Sequence, residues 1–154
     1  MAYLAAYIAV YEHKGGLFGG YSRNFMRHSS IVVEMGNGTF DCFHVTGTPG
    51  IGLTYSCEQQ WSDPRATTAR LLSMDFAGWI PWNRYSEMDP LLSRVPTLVS
   101  RDWNCQNWVR EALDEMVTAG LITTEYKDRA VQKQLEAISS PFRTETPNAQ
   151  ALQG

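Results

Sequence analysis

β-branched and aromatic residues gather in runs bounded by glycine, proline and polar residues, and these runs predict strands over Tyr3 to Glu12, His28 to Met35, Thr39 to Thr46 and Leu53 to Gln59. After the Ser62-Asp63-Pro64 turn, Ala69 to Phe76 reads as a further strand, and Gly78 to Arg84 as a proline-interrupted loop carrying Trp79 and Trp82. Ser86-Glu87-Met88-Asp89 has the form of a capping box opening a short helix over Pro90 to Val95. The period then changes. From Cys105, the apolar positions Val109, Ala112, Leu113, Met116 and Leu121 follow helical spacing, with Arg110, Glu111, Asp114 and Glu115 mostly off the stripe. Asn104 supplies an N-cap and Gly120 a stop. A second, mostly polar helix is expected over Thr124 to Ile138, with Ala130, Val131, Leu135 and Ile138 as its narrow buried edge. The pattern as a whole predicts an α+β fold, an antiparallel β-sheet of about five strands with the Cys105 helix packed on it.

Two glycine pairs, Gly15-Gly16 and Gly19-Gly20, predict a flexible loop after the first strand. Gly36-Asn37-Gly38 predicts a hairpin turn between the second and third strands, and its length decides whether two histidines can cooperate. A two-residue Asn37-Gly38 turn places His44 opposite Ile31, on the other face from His28. A three-residue loop pairs Met35 with Thr39, sets His44 opposite Ser30, and brings the two imidazoles onto one face as diagonal neighbours.

The chain of 154 residues, 44% hydrophobic and 19% charged, suits one globular unit over residues 1–138, and residues 139–154, rich in Ser, Thr, Pro and Gln, read as a loose tail. A net charge of −3 without a lysine or arginine cluster argues against nucleic acid or an anionic membrane as partner. The apolar start lacks a basic n-region and is too short to span a bilayer. Cys42, Cys57 and Cys105 form neither a CxxC pair nor an even-numbered framework, which fits a reducing, cytoplasmic setting. Oligomeric state is not legible.

Cys105 is the candidate nucleophile. At a helix N-terminus a thiol meets free backbone N–H groups and the positive end of the macrodipole, which favour the thiolate. It also lies on the apolar stripe, where a cysteine is ordinarily a small core residue. Cys42 and Cys57 are expected in strand interiors as structural residues. His13, beside Lys14 and glycines, is read as solvated.

A strand-initial histidine, a hairpin, a second histidine, and then Asn104-Cys105-Gln106-Asn107-Trp108-Val109 opening a helix together resemble the permuted papain fold of the NlpC-like and lecithin retinol acyltransferase type. The resemblance covers roughly residues 25 to 120. It implies a Cys-His-His site: Cys105 as nucleophile, His28 in the base position and His44 in the orienting position. Ser29 departs from the large aromatic usual after the first histidine, and the interval to His44 is longer than usual, so which histidine is the base stays open. The implied activity is cysteine-dependent acyl transfer, as hydrolase or acyltransferase, on an amide, ester or thioester of a small-molecule or peptide-like substrate. Gln106, Trp79 and Trp82 are the candidate substrate-binding residues.

Two other classes are compatible with these residues. A non-catalytic binding module on the same fold would need neither imidazole. A metal site from His28, His44 and Cys105 has suitable ligand types, but the wide spacing and missing support from a carboxylate argue against it. No metal or cofactor is expected.

Overall fold

The computed structural model describes residues 2–13 and 20–141. The loop expected over Gly15, Gly16 and Gly19, and the tail from residue 142 on, lie outside the described residues.

Strands β1 (Tyr3–Tyr11), β2 (His28–Glu34), β3 (Phe40–Thr48), β4 (Gly52–Gln60) and β5 (Leu71–Pro81) form one antiparallel sheet in the order β4-β3-β2-β1-β5. Helix α1 (Arg23–Met26) leads into β2, and α2 (Pro64–Thr67) lies between β4 and β5. Beyond β5 come a 3-10 turn (Trp82–Glu87) and helices α3 (Met88–Ser93), α4 (Cys105–Thr118) and α5 (Thr124–Ile138). Among the described residues no helix is long and apolar enough to cross a membrane.

The alternation of side chains along the strands divides the sheet into two faces. Leu4, Ala6, Ile8, Val10, Ile31, Val33, Phe43 and Val45 meet the apolar stripe of α4, Trp108 to Met116, and Ala130, Ala137 and Ile138 of α5 in the main core. The opposite face carries a small cluster of Ala9, Val32 and Phe40, with Tyr11, Leu71 and Met74 against it. From β4 at one edge to β5 at the other, the chain must cross the sheet. It crosses over that second face, where Arg65 lies 5.2 Å from the centre of the Tyr7 ring and 3.3 Å from Glu34.

The hairpin between β2 and β3 uses the three-residue loop: Met35 N–H donates to Thr39 O at 3.0 Å, and Gly36 and Gly38 take φ of +83° and +87°, which glycine adopts without steric cost. Helix α4 begins as its sequence predicts. Asn104 Oδ1 accepts from Gln106 N–H at 3.0 Å, Asn107 Oδ1 accepts from Asn104 N–H at 3.0 Å, and Gly120 ends the helix at φ +77°.

Four local expectations are corrected. β5 does not stop at Phe76 but runs to Pro81, so Trp79 is a strand residue; a bulge at Ala77, where Tyr7 pairs with Phe76 and Ala6 with Gly78, absorbs the irregularity that mimics a loop. The Ser86 capping box does not form, because the preceding 3-10 turn runs straight into α3 and Glu87 stands at its N-cap without a side-chain bond. Leu135 is exposed, while Gln134 and Ala137 face inward, a rotation of the buried edge of α5 set by its packing on β5 and β1. Cys57 lies exposed on β4, the edge strand, rather than in an interior.

Candidate active site

With Thr48 paired to Gly52, His44 of β3 faces Ser56, and Glu58 is its diagonal neighbour on the same face. On the other side, His28 is diagonal to His44 across β2, because the three-residue loop fixes that register. Three side chains from three adjacent strands thus form a hydrogen-bonded chain. His28 Nε2 lies 2.9 Å from His44 Nδ1, and His44 Nε2 lies 2.7 Å from Glu58 Oε2. With a carboxylate at Glu58, His44 donates its Nε2 proton outward and accepts at Nδ1 from His28 Nε2–H, so Nδ1 of His28 keeps its lone pair. Burial first, and then the neighbouring His44, push the His28 imidazole down to about 4, with Glu58 opposing. At neutral pH His28 is therefore uncharged.

The β2–β3 ladder ends at Ile31↔Phe43, although β2 continues back to His28 and β3 on to Thr48. Beyond that pair, the N–H of Ser29 donates to Cys105 Sγ at 3.5 Å. The sulfur thus meets, from the helix-covered side, the peptide that joins His28 to Ser29, while the His28 and His44 rings lie on the other face of the sheet.

This position is held by side chains flanking the cysteine. Asn104 Nδ2 donates to Phe25 O at 2.6 Å, and Gln106 Nε2 donates to Asn24 O and Arg27 O at 2.7 and 2.8 Å. They latch the start of α4 to the segment that ends in His28. Behind the sulfur, buried Gln134 of α5 donates to Ser29 Oγ at 2.9 Å and accepts from Arg110 at 3.1 Å. Arg27 is fully buried; it grips Glu12 through Nε and Nη2 at 3.1 and 2.8 Å, and donates to the carbonyls of Ala137, Ile138 and Ser140 at the end of α5.

The electrostatics of Cys105 differ from the expectation of a favoured thiolate. Burial pushes its thiol up to about 11, and the N–H groups of Ser29, Cys105 and Gln106, with Arg110, only partly offset it. A helix N-terminus lowers a thiol's pKa where water also reaches it; Cys105 as a whole residue is only 9% exposed. Cys42 shares the imidazole face, also buried, and is likewise pushed up to about 11.

The expected substrate-binding residues do not gather at this site. The Gln106 amide is committed to three backbone carbonyls and acts on position, not on a ligand. Trp79 lines a separate, mostly apolar cavity with Tyr3, Leu121, Ile122 and Tyr126, and Trp82 lies parallel to Tyr85 with ring centres 6.4 Å apart. The sequence assigns no role to Glu58, Arg27 or Gln134. Of these only Glu58 left a signal, since taking Pro49-Gly50-Ile51 as a three-residue turn would have set it diagonal to His44. Among the described residues no group of three or more His, Cys, Asp or Glu side chains could hold a metal ion.

A mixed α+β protein with a hydrogen-bonded Glu-His-His chain on one sheet face and a cysteine at the adjoining helix start is the class that this geometry defines. The chain belongs to a family of unknown function, DUF6540, whose model matches residues 7–123. No curated protein and no solved structure matches it.

Proposed function

We propose that this protein is a cysteine-dependent acyl-transfer enzyme of permuted papain-like architecture, with Cys105 as nucleophile, His28 as base, His44 orienting it and Glu58 anchoring the chain. One observation supports the reading: Cys105 Sγ lies 3.5 Å from the peptide nitrogen that follows His28, the first member of a Glu58–His44–His28 hydrogen-bonded chain on the other face of the sheet.

The resting pair is a neutral thiol and a neutral imidazole, so proton transfer accompanies attack rather than preceding it. As sulfur bonds to the acyl carbon, its proton passes to His28, whose ring must first turn from the opposite face of the sheet toward the sulfur, and the carbonyl oxygen takes the electron pair as an oxyanion facing the Cys105 N–H. Collapse breaks the bond to the leaving amine, alcohol or thiol, which takes the proton from His28. Water or an acceptor nucleophile, deprotonated by the same imidazole, then cleaves the acyl-enzyme. A reducing, cytoplasmic setting belongs to this reading, as Cys42, Cys57 and Cys105 are all free thiols.

Burial of the sulfur favours a second reading, a binding module in which Cys105 is core. Intact-mass spectrometry after exposure to an activated acyl ester separates the two. The enzyme reading expects an adduct on Cys105 that disappears in His28→Ala and forms partially in His44→Gln, whose amide can still orient the neighbouring ring. No adduct on Cys105 in the folded chain would favour the binding module.

A further inference from the structure

Two polar residues of β5 stand on the face of the sheet that the helices cover. Val10 pairs with Ser73 and Ile8 with Asp75, so both side chains point to the same side as those two core residues, under α5. The pairing steps from Tyr11↔Leu71 to Val10↔Ser73, and the bulged residue between them, Leu72, packs against the main core. Between these strand residues and α5 lies a cavity of about 440 Å³, bordered across from them by Lys133, Glu136 and Ala137 of the helix and by Pro141 beyond it.

Two atoms on the strand wall of this cavity, Ser73 Oγ and Asp75 Oδ2, are buried without a hydrogen-bond partner in the protein. A carboxylate oxygen shut away from water with no donor is costly, so on a cavity wall it marks where a donor from outside belongs. The helix wall does not supply that donor. Lys133, the one cation among the described residues of the lining, has its Nζ 3.6 Å from Glu136 Oε2 and makes no ion pair with Asp75. Asp75 and Glu136 against Lys133 leave the lining with negative charge in excess, and Leu72, Ala137 and Pro141 give it an apolar wall.

We infer that this cavity binds a small primary alkylamine, whose ammonium group donates to Asp75 Oδ2 and Ser73 Oγ while its alkyl chain lies along Leu72, Ala137 and Pro141. An ammonium carries three N–H donors and no acceptor, which is what the two unmet oxygens lack. The side chains start about 6.6 Å apart along the strand, a gap that one nitrogen bridges with a bond of about 2.8 Å to each. An anion would meet the excess negative charge, and a neutral alcohol would leave the carboxylate uncompensated. Amine binding here does not depend on acyl transfer at Cys105: Gln134 of α5 turns to Ser29 and the start of α4, whereas Lys133 and Glu136 border the cavity over β5.

The test is a titration of the ¹⁵N-labelled full chain at neutral pH with n-pentylamine, and separately with 1-pentanol and pentanoate, reading the backbone amides of Ser73, Asp75 and Ala137. The expected result is a saturable shift with the amine alone, weakened at least tenfold in Asp75→Asn and several-fold in Ser73→Ala. Lys133→Met, which removes a neighbouring like charge, should tighten it. Without ligand, Asp75→Asn should unfold at a urea midpoint equal to or above the parent's, because the exchange removes an unmet carboxylate oxygen and no bond; loss of binding is then not loss of fold. β5 is an edge strand, and an inward-pointing charge can also serve to keep such an edge from pairing with a second chain. No saturable shift with the amine, together with dimerisation of Asp75→Asn, would assign the residue that role and overturn the inference. Amine binding unchanged in Asp75→Asn, equal saturation by 1-pentanol, or a lowered midpoint in Asp75→Asn would overturn it as well.

Discussion

Burial moves the two groups at the centre of the site in opposite directions, the His28 imidazole down to about 4 and the Cys105 thiol up to about 11. Both shifts favour the neutral form, as desolvation always does. The His28 shift is also a statement about stability. Above pH 6.5 the imidazole is neutral in folded and unfolded chains alike; between 6.5 and about 4 the unfolded chain binds a proton that the folded one refuses. Stability therefore falls as pH drops through that window and levels off below it, by up to roughly 3 kcal/mol from this residue. Urea unfolding at half-unit pH steps should show that slope, and His28→Gln should flatten it. An unchanged slope in His28→Gln would assign the acid sensitivity to other groups. For the same reason acylation of Cys105 should hold from neutral pH down to about 4 before its acid limb begins, read as adduct formation rate against pH.

At the scale of elements, the bulge in β5 is what lets one strand serve both the sheet and the α4–α5 corner. Gly78 takes φ +147°, and a Cβ built there would come within 2.7 Å of Ile122 Cγ2. Backbone strain and overlap act together at this point, because the close approach of β5 to the corner leaves no room for a methyl group. Gly78→Ala should therefore lose about 2 kcal/mol or more, seen as a lower urea midpoint with unchanged m-value. The start of α4 offers a companion measurement. Asn104→Ala removes an N-cap and the donor to Phe25 O, and should cost about 1–2 kcal/mol while also slowing acylation of Cys105, because the same side chain fixes the sulfur's helix against α1, which leads into the strand that carries His28.

Across the whole molecule, Arg27 ties together parts that are far apart in sequence: Glu12 at the end of β1, the turn into β2, and the last carbonyls of α5. Both members of the ion pair are buried, with side chains 0% and 4% exposed. Removing one partner strands a charge, whereas removing both does not. Glu12→Gln or Arg27→Met alone should cost about 3–5 kcal/mol, and the double variant distinctly less than the sum. Additive losses in a denaturation cycle would show that the pair is not coupled. Since Arg27 precedes His28, the single variants should also disturb the His28–His44 contact, visible as shifted imidazole resonances.

The sequence alone determined what near neighbours decide: the helix from Asn104 to Gly120, whose caps and stripe lie within the segment, and α5 over Thr124–Ile138, matched to its ends. It left the hairpin register open between two loops, and only the paired strands chose the one that joins His28 to His44. Glu58, the path from β4 to β5, and Gln134 behind the cysteine depend on contacts across tens of residues, which no local period encodes. The misplaced features have the same origin. Trp79 and Pro81 look like a loop until the pairing with β1 absorbs an extra residue in a bulge, and the aromatic side chains expected at the site lie in other parts of the fold. Most of all, the tertiary structure decided the charge at Cys105: the helix N-terminus is written in Asn104-Cys105, but burial, which outweighs it, exists only once the sheet, α4 and α5 have closed around the sulfur.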